Sequence, residues 1–173
     1  MEDGGLKAAA DLMALAARTA PKSRGEDYIL VKSIAGKEIE KLADGMEKFG
    51  ERTGKGNFDR DAKGVRNSPV VLLIGIKDAK PLGLNCGACG YNSCGELMKK
   101  RKGPEFNGPH CAFRLLDLGI ALGSAVKTAS ILNVDNRIMY RIGTVARDIG
   151  IVDWDYIMGI PMSATGKNIY FDR

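Results

Sequence analysis

The chain has 173 residues, 45% of them hydrophobic, with a formal net charge of +5 and a pI near 9.0. That length and apolar content can build a proper core without metal as its only staple. The basic excess is too mild for a dedicated nucleic-acid binder, and no stretch reaches the roughly 18–20 uninterrupted apolar residues of a membrane span.

The start, Met1-Glu2-Asp3-Gly4-Gly5, is acidic and lacks the basic and apolar regions of a signal peptide, so a cytoplasmic protein is expected. A first helix is predicted from about Leu6 to Thr19, with Leu6, Ala9, Met13, Ala16 and Ala17 as its apolar stripe and Pro21 beyond its end. Tyr28–Lys32 reads as a short strand. A second helix starts near Gly36, where Ile39, Leu42, Ala43, Met46 and Phe49 recur at helical spacing. Residues 50–68 turn Gly- and charge-rich and read as a surface loop or lid, with a short helix at Asp59–Val65. Pro69–Ile76 is a β-branched apolar run, hence a buried central strand.

Asp78–Leu84 leads into the most informative stretch. All four cysteines fall within 26 residues as Cys86-x2-Cys89-x4-Cys94-x16-Cys111. Four soft thiolates select iron–sulfur clusters, zinc or Cu(I) over hard cations. The tight Cys-x2-Cys step aims two sulfurs at neighbouring corners of a cubane, Cys94 adds a third from the same loop, and Cys111 closes from another direction. Gly87, Gly90 and Gly95 each follow a cysteine and let backbone N–H groups approach cluster sulfurs. The reading is a [4Fe-4S] cluster on Cys86, Cys89, Cys94 and Cys111. Structural zinc is the rival, although zinc ribbons usually offer a second Cys-x2-Cys knuckle. Disulfides fit a secreted chain, and a thioredoxin-like pair leaves Cys94 and Cys111 unexplained.

Between the third and fourth cysteines, Lys99-Lys100-Arg101-Lys102 reads either as a dock for an acidic redox partner or as a solvated helix end. His110, the sole histidine, is expected beside the site and not as a ligand, with Tyr91 shielding it. After Cys111 a long helix, Ala112–Leu132, is apolar on more than one face, and Gly119 and Gly123 form a ridge for a neighbouring helix or a second subunit. Asp135 is expected to cap a last helix bearing Ile138, Ile142, Val145, Ala146 and Ile149, ended by Gly150. Tyr156–Met162 reads as the final strand. Gly166-Lys167 hints at a phosphate loop without the Walker spacing.

The cysteine pattern resembles the four-cysteine domain of the B subunit of Rnf electron-transport complexes and of the large subunit of the corrinoid iron–sulfur protein. That resemblance implies one [4Fe-4S] cluster on all four cysteines. The whole chain also resembles a ferredoxin domain-containing family of anaerobic bacteria and archaea. Separately, Ala16-Ala17-Arg18-Thr19-Ala20-Pro21-Lys22-Ser23 followed by Tyr28-Ile29-Leu30-Val31 is similar to the approach to the first strand of nitroreductases, which implies their scaffold, a homodimer and FMN. Against FMN stand the missing Arg-rich segment before that motif and Arg24-Gly25-Glu26-Asp27 in place of its Asn and Gln-Pro-Trp positions; a flavin phosphate would have Lys167 to approach.

The expectation is one α+β domain over residues 1–173, with a small mixed β-sheet flanked by helices, nitroreductase-like, and an inserted metal segment at 84–112. Its expected work is electron transfer with a redox partner protein. An FMN-dependent oxidoreductase with the cluster as relay and a zinc-stabilised interaction module are the alternatives.

Overall fold

A computed structural model describes residues 2–99 and 101–171. A four-stranded sheet in the order β1 (Ile29–Ala35), β2 (Val70–Ile76), β6 (Tyr156–Ser163) and β5 (Asp135–Asn136) forms the middle layer. Between β2 and β6 in the chain lies a two-stranded hairpin, β3 (Arg101–Lys102) with β4 (Asn107–Gly108). Helices α1 (Glu2–Thr19) and α4 (Ala112–Ile131) cover one sheet face. Helices α2 (Lys37–Thr53), α3 (Phe58–Arg66) and α5 (Tyr140–Asp148) cover the other.

The period-two alternation of a strand sorts β2 between the two cores. Val70, Leu72, Ile74 and Ile76 pack with Met13, Leu118 and Ala125, while Val71 and Leu73 pack with Leu42, Phe58 and Ile142. Every residue of β2 is buried because both faces carry helices. That continuous apolar run is also the mark of parallel sheets, the reason a mixed sheet is expected. Every described pairing is instead antiparallel. The α+β architecture itself stands.

Three further expectations change. Residues 51–57 are exposed, but the short helix expected at Asp59–Val65 is α3 and packs into the core: Phe58 is buried, its ring 4.9 Å from that of Phe49, so α3 is no lid. Asp135 does not cap the last helix. It lies on β5, opposite Ser163, and its carboxylate accepts a hydrogen bond from Asn168. The open edge of β6 claims residues 135–136 as a strand, and α5 begins only at Tyr140, after Met139 bridges to Gly159. Finally, the Gly119–Gly123 ridge meets no helix of its own chain; α4 buries Leu118, Ala121, Leu122, Ala125 and Ala129 instead.

Candidate metal centre

Strand β2 ends beneath the cysteine segment, and the chain leaves it through three polar fastenings. The Asp78 amide donates to Asp155 Oδ2 (2.7 Å), Arg114 Nε donates to the Lys80 carbonyl (2.8 Å), and Arg24 Nη1 donates to the Leu82 carbonyl (3.0 Å). Leu82 is buried. Over the next fourteen residues, 83–96, no side chain is.

That stretch is shaped by backbone conformation. Gly83, Asn85, Gly87 and Gly90 all have positive φ, three of them glycines that adopt it without a Cβ clash. Asn85 joins the loop's two ends: its Oδ1 accepts the Cys94 amide (2.8 Å), and its own amide donates to Cys94 Sγ (3.3 Å). An N–H aimed at a cysteine sulfur stabilises a thiolate and tunes whatever the thiolate binds. A turn closes Cys89 between Gly87 and Gly90, whose amide reaches the Gly87 carbonyl at 2.9 Å. A 3-10 turn, Glu96–Met98, then buries Leu97.

The return path is fastened as firmly. Asn107 donates its amide to the Asp155 carbonyl and its side-chain NH2 to Asp155 Oδ1, each at 3.0 Å, while Arg147 donates to Asn107 Oδ1 (2.6 Å). His110 is half-buried, its ring edge-on to Tyr156 at 6.0 Å. Cys111 stands at the N-terminus of α4, where its carbonyl accepts the Arg114 and Leu115 amides. A helix N-terminus favours a thiolate electrostatically. Cys111 is buried, Cys89 and Cys94 are half-buried, Cys86 is exposed, and all four are free thiols.

The structure thus brings Cys94 to Asn85, next to Cys86, and roots Cys111 in the helical body. Among the described residues it draws no three His, Cys, Asp or Glu side chains close enough to hold a metal ion. The cavity reaching Cys111, about 170 Å³, is lined by residues such as Lys80, Leu97, Met98 and Pro109 and by none of the other cysteines. The donor set nonetheless suits a soft metal centre: four reduced sulfurs, a backbone with glycines where close approach is needed, and a loop lacking an apolar core of its own. Ordering a residue costs about 1–2 kcal/mol of backbone entropy, so fourteen residues without a buried side chain call for another organising centre.

A metal-free preparation should therefore keep its far-UV CD spectrum and urea midpoint close to those of the loaded protein, while limited proteolysis cuts within 83–98. Cooperative loss of helical signal on stripping the metal would show that the body depends on it.

Sequence reasoning missed the arginine beneath the site. Arg114 is 1% exposed and binds Asp117, Glu26 and the Ser23 and Lys80 carbonyls. The signal available was an Arg and an Asp three apart in an otherwise apolar helix. Gly166-Lys167 lies exposed in a bend after β6, and no helix follows it among the described residues, as a phosphate loop of the Walker kind requires.

The three-layer architecture is similar to that of an oxidoreductase containing FMN, with a TM-score of 0.57 and 14% identity over 91% of this chain and 66% of that one. It is also similar to the FMN-dependent nitroreductase of Mycobacterium smegmatis solved in complex with NADPH, with a TM-score of 0.60 and 12% identity over 95% and 81% of the two chains. The fold is that of the nitroreductases. In sequence the chain is 55% identical over 170 residues to an "Uncharacterized protein" of Archaeoglobus fulgidus, covering 98% of this chain and 92% of that one. A family profile described as "Uncharacterized protein containing a ferredoxin domain" matches residues 107–173, and the chain belongs to that family. The matched region takes in Cys111 and leaves the other three cysteines outside it. No helix among the described residues is long and apolar enough to cross a membrane.

Proposed function

We propose that the chain is a cytoplasmic iron–sulfur protein of electron transfer, built as one domain whose segment 84–112 holds a [4Fe-4S] cluster through Cys86, Cys89, Cys94 and Cys111. The observation that carries this reading is a loop of free thiols shaped by left-handed glycines, with no buried side chain from 83 to 96. The ferredoxin-domain description of the family supports it. When bound, such a cluster supplies one-electron exchange between two charge states. The residues of the chain hold the site: the Asn85 amide donates to Cys94 Sγ, the start of α4 positions Cys111, and Leu97 lines the cavity that reaches it.

A second reading, an FMN-dependent oxidoreductase fed by the cluster, draws support from neighbours of the same fold that contain FMN. Both readings accommodate a homodimer. Leu116 and Ile120 of α4 are 59% and 46% exposed beside the uncovered Gly119 and Gly123, a face suited to a second copy.

Protein purified without oxygen should be brown, contain iron and acid-labile sulfide in a ratio near four to four per chain, and bleach with dithionite. Stoichiometric zinc in colourless protein sinks the reading, and FMN released by heating promotes the flavin alternative. The Cys94→Ser variant should lose most of its iron and visible absorbance; an unchanged spectrum would remove Cys94 from the ligand set.

A further inference from the structure

The metal segment carries much of the excess charge of the chain. Residues 77–111 hold six lysines and arginines against three carboxylates. Some cations elsewhere on the surface are matched, as where Arg66 binds Glu40, Asp44 and Glu47 together. Around the cysteines the cations fall close together in the chain. Lys80, Lys99, Arg101 and Lys102 are all exposed, and among the described residues no ion pair joins any of them to a carboxylate. Lys100 lies outside the described residues.

The same segment exposes apolar side chains among these cations. Met98 is 60% exposed and Leu84 is 56% exposed, the first lining the cavity that reaches Cys111 together with Lys80. An apolar centre inside a charged rim is the anatomy of a transient protein interface, and methionine adapts to varied partners. The hairpin presenting Arg101 and Lys102 is held in place, because Arg101 pairs with Gly108 and the adjacent Asn107 is bound by Asp155 and Arg147. Gly108, the partner of Arg101 in the hairpin, is three residues from Cys111, so at about 3.5 Å per residue it stands within roughly 10 Å of that cysteine's backbone.

We propose that the exposed surface of this segment, Leu84 and Met98 together with Lys80, Lys99, Arg101 and Lys102, is the docking surface for an acidic redox protein. The redox character of the partner rests on the function proposed above; its acidity rests on the charges of the face alone. A negative partner is steered by the unmatched cations, and the apolar centre completes the contact next to the cysteine site. A nucleic acid would use the same cations but would not need exposed Met98 and Leu84, and the segment offers no aromatic stacking row: besides Tyr91 it has Phe106, whose ring packs on Tyr156.

Calorimetric titration of the full-length, anaerobically purified protein with an oxidised, acidic 2[4Fe-4S] ferredoxin tests this without relying on turnover. Wild-type protein should bind at low salt and weaken steeply toward roughly 0.3 M salt, as screened charges do. The K99E/R101E/K102E variant should lose about tenfold or more in affinity together with its salt dependence, and Met98→Ser should lose affinity while retaining the salt dependence. Absence of wild-type binding, unchanged affinity in the charge-reversed variant, equal affinity for a basic cytochrome, or equal affinity for duplex DNA would each overturn the proposal. Iron and sulfide measured on the same preparations keep the two claims apart. Zinc-loaded protein that still shows the charge-dependent binding would retain the surface and remove the electron-transfer function; iron-loaded protein indifferent to the charge reversal would do the opposite.

Discussion

Replacing Arg114 by Ala is expected to lower the stability of the fold by about 3–5 kcal/mol, the range for breaking a buried ion pair from one side. Arg114 stands at the first turn of α4 and is 1% exposed. Its guanidinium donates to the Lys80 carbonyl, the Ser23 carbonyl, Asp117 and Glu26, and it stacks over the Tyr28 ring at 4.7 Å. Asp117, itself 4% exposed, also accepts the amide and hydroxyl of Ser23 at 2.8 Å each. Removing the cation strands that carboxylate in a poorly solvated site and leaves two carbonyls without donors. Arg114→Lys keeps the charge but not the planar fork, so it should recover only part of the loss. Urea unfolding of the three proteins checks this. A loss below about 1 kcal/mol for the Ala variant would mean that water replaces the network. Because the clamp joins the turn after α1 to the start of the cysteine segment, the Ala variant should also be cut faster by proteases near Lys80.

Gly143→Ala is expected to cost about 3 kcal/mol or more, at or beyond the upper range of overpacking effects. A Cβ built on Gly143 would lie 1.9 Å from the Ile157 carbonyl oxygen and 2.4 Å from its carbon, both backbone atoms of β6. Neither can swing aside as a side-chain tip would, so α5 must lift off the sheet. Helix propensity alone predicts the opposite sign, since Ala is favoured over Gly by about 1 kcal/mol within a helix. Gly5→Ala on α1, with nothing within 4 Å of the new methyl, provides the contrast and should stabilise by up to about that amount. Thermal or urea midpoints moving in opposite directions for the two variants are the expected result. Movement in the same direction would show that α5 can shift to admit a methyl.

How far the sequence foretold these features depends on the range of the interactions involved. The stripe of Ile39, Leu42, Ala43, Met46 and Phe49 is a local pattern, and α2 buries all five. The β-branched run at 69–76 likewise became the buried centre of the sheet. Strand direction was not encoded locally: helices on both faces give an antiparallel strand the unbroken apolar run that parallel strands show. Asp135 failed as a helix cap because the need of the β6 edge for partners, settled by residues 28 positions away, outweighed a local capping preference. The short helix read at Asp59–Val65 is α3, but its burial was not foreseen, because its apolar face is short and only Phe58, Ala62 and Val65 seat it. At the cysteine segment the positions of the thiols and of the turn glycines were legible, whereas the Arg114 clamp joins residues up to 91 positions apart and leaves no local periodicity.

Asp155 holds the chain on either side of Cys86, Cys89 and Cys94, binding the Asp78 amide on the way out and Asn107 on the way back. One carboxylate therefore sets how far apart the chain departs from and rejoins the layers, while Cys111 stands past that clasp at the start of α4.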